Sequence, residues 1–76
     1  MNTVLIIEDE QDIRELLAFS LRQEGFSPLE AETGEQGIAL AKKHQPTIIL
    51  LDVMLPGMDG FTVLEHLRAG AFLRRF

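Results

Sequence analysis

Apolar and polar positions along this chain come in blocks. Val4 to Ile7 is an unbroken aliphatic run. Without alternation it predicts a strand buried on both faces, over about residues 3–7. Three acids follow at once, Glu8, Asp9 and Glu10. Ile13, Leu16, Leu17, Ser20 and Leu21 then recur at the spacing of one helical face, predicting a helix over about 11–24. Gly25 fits the stop just beyond it. Phe26 to Ala31 predicts a second strand, and Pro28 inside it favours an edge position.

Thr33-Gly34-Glu35-Gln36 has the capping-box pattern, a hydroxyl followed three residues later by Glu or Gln. It opens a predicted helix over about 34–44 with a small apolar face of Gly37, Ile38, Leu40 and Ala41. Lys42, Lys43 and His44 suit the negative pole of its dipole, and Pro46 punctuates. Ile48 to Leu51 predicts a third strand, about 47–52, again buried on both faces and again ending in an acid, Asp52. Pro56, Gly57, Asp59 and Gly60 make a turn-rich loop. Asp59 can cap a third helix over about 60–70, with Phe61, Leu64 and Leu67 on one face. Strand and helix thus alternate three times, which with right-handed crossovers gives an α/β parallel sheet covered by helices. No linker, internal repeat or low-complexity segment divides the chain.

Composition narrows the function classes. In 76 residues there are 12 acidic and 7 basic side chains, a net charge of −5, and no cysteine. One domain is expected, burying roughly 60–65% of its unfolded surface, with no disulfide or thiolate metal site to staple it. The charge disfavours direct nucleic-acid binding, which needs a basic surface. No apolar stretch approaches the roughly 20 residues of a membrane span, and the start lacks a basic, cleavable leader, so a cytoplasmic protein without a membrane partner is expected. The charge is uneven: residues 1–67 carry 4 basic and 12 acidic side chains, whereas 68–76 hold Arg68, Arg74 and Arg75 and no acid.

In an open α/β sheet, ligands bind outside the carboxyl ends of the strands. Glu8 and Asp9 end the first strand and Asp52 the third. If those strands are neighbours, the carboxylates share one rim and need a cation. Oxygen donors without thiolate or imidazole select Mg²⁺ or Mn²⁺. A carboxylate so placed is also a competent nucleophile towards phosphorus. Acids after a strand can instead cap the next helix, a role expected of Glu10 or Asp12. His44 and His66 have no partner at ligand spacing and are expected on the surface, and Met54 and Met58 are loop residues.

These residues resemble the receiver domain of two-component response regulators, the winged-helix transcription-regulator type in particular. The resemblance rests on LIIEDE, EAETGEQGIALA and IILLDVMLPGMDGFTVLEHLR, and runs from about Thr3 to Arg68. It implies that Asp52 is the phosphoacceptor, modified by a sensor histidine kinase. It implies that Glu8, Asp9, Asp52 and the backbone carbonyl of Met54 hold Mg²⁺, Asp9 more directly than Glu8, and that Pro56 and Gly57 shape the site loop. The domain would assist its own phosphorylation and dephosphorylation without being a turnover enzyme on other substrates. Haloacid-dehalogenase-like phosphatases also use an aspartate after a strand, but need a second acid two residues on, where this chain has Met54.

The family's fold has five strand–helix units in order 2-1-3-4-5. Three units are expected here, a truncated doubly wound, flavodoxin-like α/β parallel sheet in order 2-1-3, making residues 1–76 an incomplete receiver domain with 69–76 as a tail or a connection to an absent fourth strand. The Ser or Thr and the Lys that the family carries on strands four and five have no counterpart. The third strand would then be an exposed apolar edge, a template for pairing with a second copy. A homodimer through that strand, and an alternative life as a self-associating interaction module with impaired phosphorylation, are both expected from this. The tail AGAFLRRF has a second reading, a basic and aromatic segment that covers the exposed edge.

Overall fold

The computed structural model describes residues 2–52 and 71–74. Their elements follow the order β1 (Thr3–Ile7), α1 (Gln11–Gln23), β2 (Ser27–Ala31), α2 (Gly34–His44), β3 (Ile48–Asp52) and β4 (Ala71–Arg74). The predicted boundaries hold within a residue for these three strands and two helices. The predicted helix over about 60–70, with Asp59, Phe61, Leu64, Leu67 and His66, lies outside the described residues, as do Met58 and Gly60.

All strands are parallel, in order β2-β1-β3-β4. The expected 2-1-3 order is present, and Pro28 sits on the edge strand, where its missing N–H costs no ladder bond. The third strand differs from expectation. It is not an edge, because Ala71–Arg74 pairs along it with Ile49 opposite Ala71 and Asp52 opposite Arg74. Part of the segment expected as tail or connection is therefore a fourth strand, which the sequence analysis did not assign. The physical reason is the one that made β3 a hazard: an aliphatic strand leaves a ladder of N–H and C=O groups that another strand satisfies. A homodimer pairing β3 with β3 is blocked in this arrangement.

Alternation assigns the two faces of the sheet. Leu5, Ile7, Ala31, Ile49 and Leu51 form one buried cluster, against which Leu29 and the α2 residues Ile38, Leu40 and Ala41 pack. α2 lies close because Gly37 carries no Cβ: one built there would come within 2.7 Å of Ile7 Cγ1. On the other face α1 crosses β1 and β2. Its buried residue is Ala18, with the predicted Ile13, Leu17 and Leu21, and Arg14, half-buried. Leu16 and Ser20, expected to face inward, are exposed, Leu16 by 64%. The small Ala18 and the anchored Arg14 give the contact stripe, so the helix is rotated from the face that hydropathy alone selects.

The helix ends follow local chemistry. Gly25 has φ +87°, and the N–H groups of Gly25 and Phe26 bond back to the carbonyls of Arg22 and Leu21 at 3.1 and 3.0 Å. That is a Schellman stop, which needs the left-handed residue glycine provides. At the start of α2 the Thr33 hydroxyl accepts from Gln36 N–H at 3.1 Å. The Gln36 side chain accepts from the N–H of Glu32 at 2.9 Å, one residue before the capping position.

Candidate functional site

β1 and β3 are adjacent and in register through Ile7 and Leu51, so the positions that follow, Glu8 and Asp52, stand side by side at the carboxyl edge. The edge is held by the core beneath it: Ile7 and Leu51 are both fully buried. Two further backbone bonds fix its height, from Glu8 N–H to the Ala31 carbonyl at 3.0 Å and from Arg14 N–H to the Glu10 carbonyl at 2.9 Å.

The two acids that end β1 have opposite environments. Glu8 is 1% exposed, whereas Asp9 is exposed. Glu8 Oε2 accepts from the N–H of Glu10 at 3.0 Å, so the buried carboxylate folds back to brace its own turn. Glu10 is the capping residue of α1 by backbone position, yet its side chain makes no capping bond, nor does that of Asp12 take the capping position. The expectation that one of them caps the helix by its side chain is not met; the N–H of Glu10 is served by Glu8.

Arg14 escaped the sequence analysis. Its Nη1 donates to the carbonyl of Glu8 at 2.8 Å, and its Nε lies 3.5 Å from Oε1 of Glu30 on β2. Arg22 reaches the other oxygen of Glu30 at 3.9 Å. A signal was present: a basic residue at the start of a helix opposes the dipole, and this one follows four acids in five positions.

Among the described residues, no three carboxylate, thiolate or imidazole groups gather closely enough to hold a metal ion. The remaining expected donors, the Asp52 carboxylate and the Met54 carbonyl, fall outside what is described, as do Pro56 and Gly57. The donor chemistry at the described part of the rim fits a hard divalent cation: carboxylate oxygens alone, one buried and braced, one exposed. His44 is exposed at the far end of α2, away from this rim. Among the described residues, no helix is long and apolar enough to cross a membrane.

The sequence profile of the response regulator receiver domain matches residues 4–72. The chain belongs to the response regulator receiver domain family. It is 44% identical over 68 residues to the transcriptional regulatory protein AfsQ1 of Streptomyces coelicolor, covering 90% of this chain and 30% of that protein. It is 41% identical over 71 residues to the phosphate regulon transcriptional regulatory protein PhoB of Escherichia coli, covering 93% and 31%. This receiver chain thus spans about a third of the length of those relatives. Among solved structures, it superposes on the response regulator TrrA of Thermotoga maritima, in complex with Mg²⁺ and beryllofluoride, with a TM-score of 0.87 and 32% identity, covering 96% of this chain and 66% of that one.

Proposed function

We propose that this receiver chain is a phosphoacceptor whose nucleophile is Asp52, charged by a sensor histidine kinase in a Mg²⁺- or Mn²⁺-dependent transfer, and that it serves a transcriptional regulator in the cytoplasm. The observation that carries the reading is the register of β1 against β3, which sets Asp52 beside the Glu8–Asp9 turn at the ligand-binding edge of the sheet. In the transfer a carboxylate oxygen of Asp52 attacks phosphorus in line, the bond from phosphorus to the donor imidazole breaks, and the imidazole leaves with the electron pair. A bound divalent cation would screen the charge of the incoming phosphoryl group against the rim acids. Glu8 braces the turn and Asp9 is exposed; by the family resemblance, Asp9 as the more direct ligand, Glu8, Asp52 and the Met54 carbonyl would hold the cation. The resemblance would give Pro56 and Gly57 the role of shaping the site loop. The relative TrrA holds Mg²⁺ and beryllofluoride, and AfsQ1 and PhoB are transcriptional regulators, which supports the assignment. DNA contact is left to other parts of such regulators, and the chain turns over no other substrate.

The test is treatment with acetyl phosphate and Mg²⁺ followed by intact mass. One added phosphoryl group is expected in the native chain and none in Asp52→Asn. A native chain that gains no mass, or an Asp52→Asn chain that gains the same mass, overturns the reading.

A second reading, a self-associating interaction module, has its own support: Leu16 and Phe19 stand 64% and 59% exposed on α1. Sedimentation that returns a monomer mass across a wide concentration range removes it.

A further inference from the structure

We infer that Arg14 is a positioning residue for the acid turn, holding the Glu8–Asp9 peptide in the orientation that lets the two carboxylates serve one divalent cation. The inference deepens the phosphoacceptor reading and rests on it. Three observations carry it.

The first is cost. Arg14 lies in the first turns of α1, where the helix dipole disfavours a cation, and only 12% of its side chain is exposed. Burying a guanidinium there is unfavourable unless its donors are used. A residue that breaks the local rule while being held firmly marks a site under another constraint.

The second is where its donors go. The fork divides between the turn after β1 and the strand β2, Nη1 to the carbonyl of Glu8 at 2.8 Å and Nε towards Glu30 at 3.5 Å. The carbonyl it holds belongs to the peptide that joins Glu8 to Asp9. Fixing that peptide plane fixes the direction in which the chain delivers Asp9. Glu30 in turn prevents the guanidinium from swinging away, and Arg22 lies 3.9 Å from the other oxygen of Glu30.

The third is that Glu8 is pinned from both ends. Its carboxylate accepts from Glu10 N–H at 3.0 Å, and its carbonyl accepts from Arg14. The turn is therefore braced on both sides of the Glu8 Cα, while Asp9 stays exposed. That is the arrangement of a ligand oriented by its neighbours, and loss of such an orienting partner costs metal affinity about 10–100-fold.

Charge and position pull in opposite directions here, so the sign of the effect discriminates. As a charge alone, Arg14 repels a cation, and Arg14→Met should tighten Mg²⁺ binding. As a positioning group, its loss loosens binding in spite of that relief. Arg14→Lys keeps the charge and gives up the forked geometry.

The experiment is a Mg²⁺ titration of the full chain, followed by the backbone amide shifts of Asp9 and Glu10, with thermal unfolding measured alongside. The dissociation constant is expected to rise about tenfold in both Arg14→Met and Arg14→Lys. Glu30→Gln, which keeps the bond to the Glu8 carbonyl and weakens the anchor, should give a smaller rise and remains informative if Arg14→Met does not fold. An unchanged constant in Arg14→Lys with only a lowered Tm means a structural role and overturns the inference, as does tighter binding in Arg14→Met. If the native chain shows no Mg²⁺ response, the metal-dependent reading itself fails and this inference with it, an outcome distinct from a native response that the variants share.

Discussion

At the scale of single residues, Gly37 leaves no room for a side chain against Ile7. A Cβ on Gly37 would press into a side chain that is itself fully buried, so Ile7 has little room to yield. Gly37→Ala gains about 1 kcal/mol of helix propensity and loses about 1–3 kcal/mol to overpacking. The expected net is a loss of about 1 kcal/mol, seen as a Tm lowered by about 4–8 °C in a thermal scan. An unchanged or raised Tm would show that Ile7 can rotate out of the way. The sequence marked Gly37 as part of an apolar face, but its partner Ile7 lies on β1, two elements earlier than α2's neighbour β2, and that contact is a product of how α2 packs on the sheet. The same limit applied to the rim. Glu8 and Asp9 are both legible as acids after a strand; which of them is buried depends on how the end of β1 packs between its neighbours β2 and β3, which no local pattern shows.

At the scale of elements, legibility depended on whether an element is governed by its own residues. β1 and β3 were readable from their aliphatic runs, Val4–Ile7 and Ile48–Leu51; β1 is buried on both faces as such a run demands, whereas in β3 Ile49 and Leu51 are buried and Ile48 and Leu50 only half-buried. The end of α1 was readable from Gly25. The face of α1 was readable only in part: Ile13, Leu17 and Leu21 are half-buried as expected, but Ala18 and Arg14 take the places expected of Leu16 and Ser20 through small size and an ion pair, which a hydropathy count ignores. The end of α2 carries an unexpected cost. Gln45 sits at φ 48° and ψ 62°, the left-handed region, with Pro46 behind it. A side chain there is unfavourable by about 1–2 kcal/mol, part of which glycine gives back as unfolded-state entropy. Gln45→Gly is therefore expected to raise stability by up to about 1 kcal/mol, read as a higher urea midpoint at an unchanged slope. A lower midpoint would mean that the Gln45 side chain makes up for its backbone.

At the scale of the whole molecule, the sheet order links fold, solubility and site. β1 and β3 are the central strands, and the acid turn and Asp52 end them side by side. The alternation of strands and helices made this centre legible. The fourth strand was harder to see, since AFLR is short and follows helix-like sequence, and what recruits it is the unpaired ladder of β3. That account makes β4 a cover as well as an element. If it is right, a chain ending at Gly70 returns an aliphatic strand to the edge, with every N–H and C=O along that side unpaired. Sedimentation should then give a larger average mass than the full chain at equal concentration, rising as the chain is concentrated, and thermal unfolding should begin earlier. Restoring residues 71–76 should reverse both. A shortened chain with the same mass and the same Tm as the full one would mean that pairing between β3 and β4 contributes nothing to either property, and that the apolar run at Ile48–Leu51 tolerates an open edge.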